Sequence, residues 1–409
     1  MISELQQLVE ALAAALDRPV VLEDRRQRLI AYSQHDQPMD GVRRETILQR
    51  QTTPEVIAEL RRFGIATSQV PVRIPGNPRL DLLPRVCVPL RHAEVLLGYL
   101  WFLDENGSMP DEDLERAVRR GGDFALALYR ENLLGELSRR REEEALRNLL
   151  LTEVEARREA ARILRDLGVF AGDGAVVALV AQPVRDDGEA PNPELQRLAI
   201  EQALVATRRQ AGPHDALHLV RHDHGLLIVT VGAAGTRPPV VTHGQALVHA
   251  LQRALVGLPG SGRVVVGVGE ARPRLELVVE SYEQARLAAR LAVSLPGVGP
   301  LAEWRELGVY RALAQLSTEQ LGAGLLHAGL EALLAAGEDQ QLARTLETYL
   351  DLAGNVGATA AALQLHRTSL YHRLRRIEQV ADADLADGND RLALHLGLKL
   401  ARLTGRYAP

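Results

Sequence analysis

Apolar positions along this chain switch between a helical and an alternating spacing. Near the start, Leu5, Leu8, Leu12 and Leu16 recur at helical intervals and predict an amphipathic helix. Two short strands follow, Val20–Glu23 and Leu29–Tyr32, around the polar turn Asp24–Arg28. The pattern then predicts a helical stretch over Thr46–Phe63. Strands are expected over Val70–Ile74, Arg85–Arg91 and Val95–Leu103, the last two joined by a hairpin at His92–Glu94. Pro110, followed by Asp111, Glu112 and Asp113, is a helix start: proline is accepted in a first turn, and acids suit the positive end of the helix dipole. That helical pattern runs, with breaks, to about Leu167.

Residues 168–295 alternate strand and helix. Strands are expected at Ala175–Ala181, Ala216–Arg221, Gly225–Val231 and Arg263–Gly269, and helices at Pro193–Arg209, His243–Val256 and Leu275–Leu291. Pro183–Pro193 and Ala233–Pro239 are Pro/Gly-rich loops. Two strands around a tight turn at His222–His224, flanked by helices, suggest a ferredoxin-like sandwich. From Pro300 onward the strands are expected to stop. Leu301–Ala335, Gln340–Leu352, Val356–Leu363, Arg367–Val380 and Asn389–Leu403 all read as helices.

The expected fold class is therefore multidomain α/β plus all-α. Residues 1–130 form an α/β sensor module whose element order resembles GAF or PAS ligand-sensing domains. Residues 131–167 are a connecting helix, 168–299 an α/β domain, and 300–409 a helical domain. In the connecting region Leu126, Leu133, Leu137, Leu146 and Leu150 approach a/d spacing. A helix of this kind packs on its own domain or pairs with its copy, and pairing in a homodimer is the preferred reading.

Length and composition agree: 409 residues exceed one ordinary core, and 46% hydrophobic with 25% charged residues is a globular balance. No apolar run approaches the ~18 residues of a membrane helix, and the start lacks a basic segment followed by an apolar one. Cys87 is the lone cysteine, so an internal disulfide and a paired-cysteine metal or redox motif are excluded. A cytoplasmic location is expected.

The net charge of −5 argues against general nucleic-acid affinity, but its distribution reverses that. Leu352–Ile377 contains no Asp or Glu, yet carries His366, Arg367, His372, Arg373, Arg375 and Arg376. Within it, Gly354 ends one helix and Asn355 caps the next, a short helix of small residues. Gln364–His366 is a tight turn, and a helix starting at Arg367 buries Leu370, Leu374, Ile377 and Val380. Its outward positions then carry hydroxyl, aromatic, imidazole and guanidinium groups, the equipment of a recognition helix on double-stranded DNA. Thr368, Ser369, Tyr371, His372 and Arg375 are expected near bases, and Arg367, Arg373 and Arg376 near phosphates.

These residues also resemble a known family. Thr345–Asp351, Gly354–Val356, Ala360–Leu363, His366–Ile377 and Asp390–Leu400 are similar to the C-terminal helix-turn-helix of the PucR/CdaR bacterial regulators, as is Leu307–Arg311 to its lead-in helix. Val266–Glu270, followed by Ser281–Ala288, resembles the GGDEF-like domain of those regulators. The resemblance implies a transcription regulator with a nucleotidyl-cyclase fold but no cyclase activity. The corresponding hairpin, Arg221–Gly225, lacks the glycine pair and second acid of the active motif. Gly121–Phe124 looks like that motif but lies in a helical stretch outside the domain.

No catalytic residue, cofactor or metal site is expected. His214, His218, His222 and His224, with Asp215 and Asp223, cluster near one hairpin, but a polar turn is preferred to a metal site. Cys87, between Val86 and Val88, reads as a core thiol. A small-molecule effector is expected at the N-terminal domain, although Tyr99, Trp101 and Phe102 are as readily core as pocket. The rival function is a nucleotide-binding or nucleotide-hydrolysing signalling protein that uses the middle domain.

Overall fold

The computed structural model describes residues 3–34, 39–172, 174–185, 192–212, 214–232, 239–258, 261–316, 328–335 and 340–407. They fall into two compact units, 1–140 and 141–409. Most of the two Pro/Gly-rich loops, and the 317–327 part of the helical run expected over Leu301–Ala335, lie outside the described residues.

The first unit begins with α1 (Glu4–Leu16), capped by the Ser3 hydroxyl, followed by β1 (Val20–Asp24) and β2 (Leu29–Tyr32). Next come α2 (Gly41–Gln49), α3 (Pro54–Arg61), β3 (Val72–Ile74), β4 (Arg85–His92) and β5 (Val95–Leu103). The strands form one antiparallel sheet in the order β2-β1-β5-β4-β3. Strand alternation divides the core. Leu100 and Phe102 of β5 join Leu5, Val9 and Leu12 of α1 on one face. Tyr99 and Trp101 face Val42 of α2 and Leu60 of α3 on the other. Ala93 and Glu94, at φ 46° and 66°, make the β4–β5 turn with both central residues left-handed, which suits the strands' twist.

Two expectations are corrected here. The helix expected over Thr46–Phe63 is two helices, because Arg50 turns left-handed and Pro54, which has no N–H to donate, can only begin a helix. The strand expected from Val70 begins at Val72, just after Pro71.

Helix α4 (Asp111–Leu149) is 39 residues long, and α5 (Val154–Asp166) follows after a short break. The near-heptad leucines of α4 have different fates. Leu126, Leu133 and Leu137 are exposed, whereas Leu146 is buried in the core of the second unit.

That second unit is built on β6 (Ala175–Arg185), α6 (Pro193–Ala211), β7 (Ala216–Val220), β8 (Gly225–Val231), α7 (Val240–Leu255), β9 (Ser261–Val268) and α8 (Val278–Ser294). With β10 (Leu301–Glu303), its five strands run β10-β9-β6-β8-β7. Here too a correction is needed: strands do not stop at Pro300. Leu301–Glu303 forms β10, parallel to β9, with Val266 N–H donating to the Pro300 carbonyl at 2.7 Å. The sheet is covered on one face by α6 and α7, and on the other by α5 and α8.

The Val266–Glu270 segment owes its glycines to α8. A Cβ on Gly267 would lie 2.0 Å from the Ala285 carbonyl oxygen, and one on Gly269 equally close to that of Ser281. Ser281 Oγ accepts from the Ala178 N–H, and Gln284 Oε1 from that of Glu270. The two segments singled out in the sequence are therefore the two sides of one close helix–strand joint.

Candidate nucleic-acid interface

The chain closes with α9 (Tyr310–Leu313), α10 (Ala328–Ala335), α11 (Gln340–Asp351), α12 (Val356–Ala362), α13 (Arg367–Ala381) and α14 (Gly388–Leu403). Gly354, at φ 78°, ends the turn after α11, and Asn355 Oδ1 accepts from the Ala358 N–H at 2.9 Å to start α12. Thr359 and Ala360 are buried, so small residues let α12 lie close to its neighbours. Gln364, at φ 53°, then turns the chain sharply into α13. His366, the last residue of the tight turn, caps α13 through its ring Nδ1, which accepts from the Thr368 N–H, a role beyond its place in the basic patch.

Helix α13 buries Leu370, Leu374, Ile377 and Ala381 against Leu330, Leu333, Leu346 and Leu394. Val380, expected in that stripe, is only half-buried, because the 3.6-residue turn carries the buried line to Ala381 instead. Arg367, Thr368, Ser369, Tyr371, His372, Arg375 and Arg376 are all exposed, Tyr371 at 52%. None of the three arginines among them pairs with a described carboxylate. The Arg367 guanidinium lies beside Gly357, at the entry to α12. Arg373 stands apart. It is half-buried and donates to Thr345 Oγ1 and Gln341 Oε1 of α11, both at 3.3 Å, so it braces α13 from the side.

Behind this face, α11 and α14 are tied by charge. Glu347 is 3% exposed and accepts from Lys399 Nζ at 3.1 Å and Arg402 Nη2 at 2.8 Å. Asp351 accepts from Lys399 and pairs with His395 Nε2 at 2.7 Å. Burial works against the Lys399 charge, but the hydrogen bonds to Asp351 and Glu347 outweigh it and raise its pKa. Sequence reasoning missed this network, whose spacing across two helices carries no local signal.

In the hairpin at Arg221–His224 only the last residue packs inward; Arg221, His222 and Asp223 are exposed. His224 is buried, with Nδ1 2.7 Å from Asp223 Oδ1 and Nε2 3.0 Å from the Tyr282 hydroxyl. His214 Nδ1 instead meets the Gly168 carbonyl. Among the described residues no group of three His, Cys, Asp or Glu side chains is placed to hold a metal ion. Gly121–Phe124 lies within α4. Cys87 is fully buried, and burial pushes its thiol pKa up.

Known proteins share these parts. Residues 342–400 match the PucR C-terminal helix-turn-helix domain, and residues 152–291 the GGDEF-like domain. In Bacillus subtilis (strain 168), the DNA-binding transcriptional activator AdeR is 24% identical over 98% of this chain and 93% of its own length. The proline-responsive transcriptional activator PutR of the same organism is 23% identical, over 98% of this chain and 97% of its own. The purine catabolism regulatory protein is 35% identical over 16% of this chain and 12% of its own. A short capped helix, a tight turn and an open arginine-bearing helix, joined to these matches, define a helix-turn-helix transcription regulator. Within that class its helix-turn-helix is similar to the PucR type, and the segment similar to the GGDEF-like domain precedes it in the chain.

Proposed function

We propose that α13 is the recognition helix of an effector-responsive regulator and enters the major groove of double-stranded DNA. The observation that carries this is the face of α13 itself: seven exposed side chains, three of them arginines, on a stretch free of acids from Leu352 to Ile377. Thr368, Ser369, Tyr371, His372 and Arg375 stand near bases. Arg367 and Arg376 hold phosphates, and Arg373 does so only from the flank of the helix.

The regulator acts as a homodimer, with the exposed Leu126, Leu133 and Leu137 of α4 available for pairing with a second copy. Two recognition helices would then sit about one DNA turn apart, ~34 Å. Residues 1–130 act as a GAF- or PAS-like sensor, a reading supported by their single sheet with helices on both faces. The relative PutR is described as proline-responsive, which favours a small metabolite as the effector here. The 131–167 segment links the sensor to a GGDEF-like domain that serves as scaffold and not as a cyclase. The protein works in the cytoplasm; no described helix is long and apolar enough to cross a membrane.

The test is capture of genomic fragments by the full chain, then titration of the best fragment at several salt concentrations. Sequence-selective binding that weakens steeply with salt is the expected result. Salt-sensitive binding without sequence preference would remove the specific regulator, and no binding would remove the interface.

A further inference from the structure

The first unit buries an unusual set of charges between its sheet and α2–α3. Glu23 of β1, Arg43 of α2 and Arg85 of β4 are each less than 7% exposed, and Asp40, just before α2, is equally hidden. Asp40 and Arg85 form an ion pair. Asp40 also accepts from the Arg43 and Leu83 N–H groups, both at 2.8 Å, so its oxygens are fully engaged. That leaves Glu23 and Arg43 as opposite charges that attract each other across the cavity without touching: neither makes a direct ion pair among the described residues.

Each is held in place by neutral groups. Glu23 accepts from Thr52 Oγ1 and Trp101 Nε1, both at 2.8 Å. Arg43 Nη2 donates to the Trp101 carbonyl at 3.0 Å, while Arg43 Nη1 is buried without any partner. Both side chains line one cavity, whose other walls include Thr46, Val42, Leu60 and Trp101. Burying unpaired charge is costly, and a fold that needed only stability would be served as well by apolar residues here. Enclosed ionisable groups facing a cavity without direct contact to one another are the kind of groups that cluster at binding and catalytic sites.

We infer that this chamber is the effector site and that it takes a small zwitterion of the amino-acid class. The ligand carboxylate is received by Arg43 and its ammonium by Glu23, with its apolar part against Leu60 and Val42. The inference rests on the sensor reading of the N-terminal unit. A simple anion would leave Glu23 facing it, and a simple cation would leave Arg43 unanswered; a zwitterion satisfies both. The cavity is about 20 Å³ as swept by the centre of a water, room for a single solvent molecule. Ligand entry therefore requires α2 and α3 to lift from the sheet. Helix α3 also borders a groove of about 330 Å³, lined by Ile57, Arg61, Tyr99 and Gln27. Gln27 Oε1 is likewise buried without a partner, so this side of α3 offers an approach with polar groups to spare.

The experiment titrates the full chain with a set of L-amino acids, following thermal shift and tryptophan emission, because Trp101 lines the chamber. The best binder is then compared with its carboxamide and its N-acetyl form. Each analogue should bind on the order of ten- to a hundredfold more weakly, the loss of one charge-assisted hydrogen-bonding group. Arg43→Gln should erase the preference for acid over amide, and Glu23→Gln the preference for amine over acetyl. The analogue comparison on the unaltered chain decides the matter even where a variant fails to fold. Equal binding of acid and amide, or no amino acid bound, overturns the inference. Hydrogen exchange with whatever metabolite binds separates the two levels. Protection within 3–140 by a ligand indifferent to Arg43 overturns the zwitterion chamber alone, whereas protection confined to 141–407 overturns the sensor reading with it.

Discussion

In α13, Arg367, Arg375 and Arg376 stand in water, while in the N-terminal unit Arg43 and Arg85 lie beneath helices with their charge enclosed. The same side chain faces opposite physics in the two regions. An exposed guanidinium keeps its hydration, so it adds little to folding and is free to exchange water and counterions for phosphate. A buried guanidinium has lost its hydration and must be compensated from within. Burial, reinforced by nearby Arg85, lowers the Arg43 pKa to about 9. The difference teaches where each region's function can be altered separately from its stability: readily on α13, hardly at all around Asp40.

The largest expected effect tests the buried side. Asp40→Ala strands Arg85 and removes the cap of α2, and should cost about 3–5 kcal/mol in urea unfolding of the first unit. A cost near zero would erase the contrast.

The middle domain holds a half-buried histidine that folding keeps neutral. Burial, with a smaller push from Arg208, lowers the His218 pKa to about 4. Its ordinary value is about 6.5, so between these limits the unfolded chain binds the proton that the folded chain refuses, and stability falls as pH falls. Going from pH 7 to 4, this residue should remove about 3 kcal/mol, and His218→Asn should show a shallower decline in paired unfolding curves. Parallel curves would mean that the histidine accepts its proton in place.

On the exposed side, Arg375→Ala should weaken operator binding by ~1–3 kcal/mol and relax specificity at one base pair, with unfolding unchanged within about 0.5 kcal/mol. A uniform loss across all DNA sequences would make Arg375 a phosphate contact.

Arg373 stands between the two cases. Its bonds to Thr345 and Gln341 make Arg373→Ala a stability variant of about 0.5–1.5 kcal/mol, with a DNA effect that does not depend on sequence. Loss of specificity at that position would move it onto the reading face.

What was legible in the sequence follows from how local each feature is. The α12–turn–α13 element is contained in Gly354–Ala381: a left-handed glycine, an asparagine cap and a stripe at helical spacing are all written within one stretch. Only the last position of the stripe shifted, from Val380 to Ala381. The break before Pro54 is written in Thr53-Pro54, because a proline without an N–H outranks apolar spacing as a helix boundary. Strand β10 was not readable, since three residues carry no period and its pairing depends on β9 far upstream. The chamber was hidden for a further reason. Glu23, Arg43, Arg85 and Trp101 come from four different elements, and nothing in the string of residues says that a charge will be enclosed. Glu23 itself ends the short apolar run Val20–Leu22 and is followed by Asp24 and Arg25, so in the sequence it reads as the start of a polar turn.

Lys399 is the chain's sole lysine, and its ammonium is held between Glu347 and Asp351. The protein is thus nearly blank to amine-directed chemistry at its side chains. An arginine of α13 rewritten as lysine would introduce a reactive amine whose only side-chain rival is already occupied. Walking such a lysine along the helix and acylating with and without DNA would print the footprint of the operator on the protein, one residue at a time, against an almost silent background.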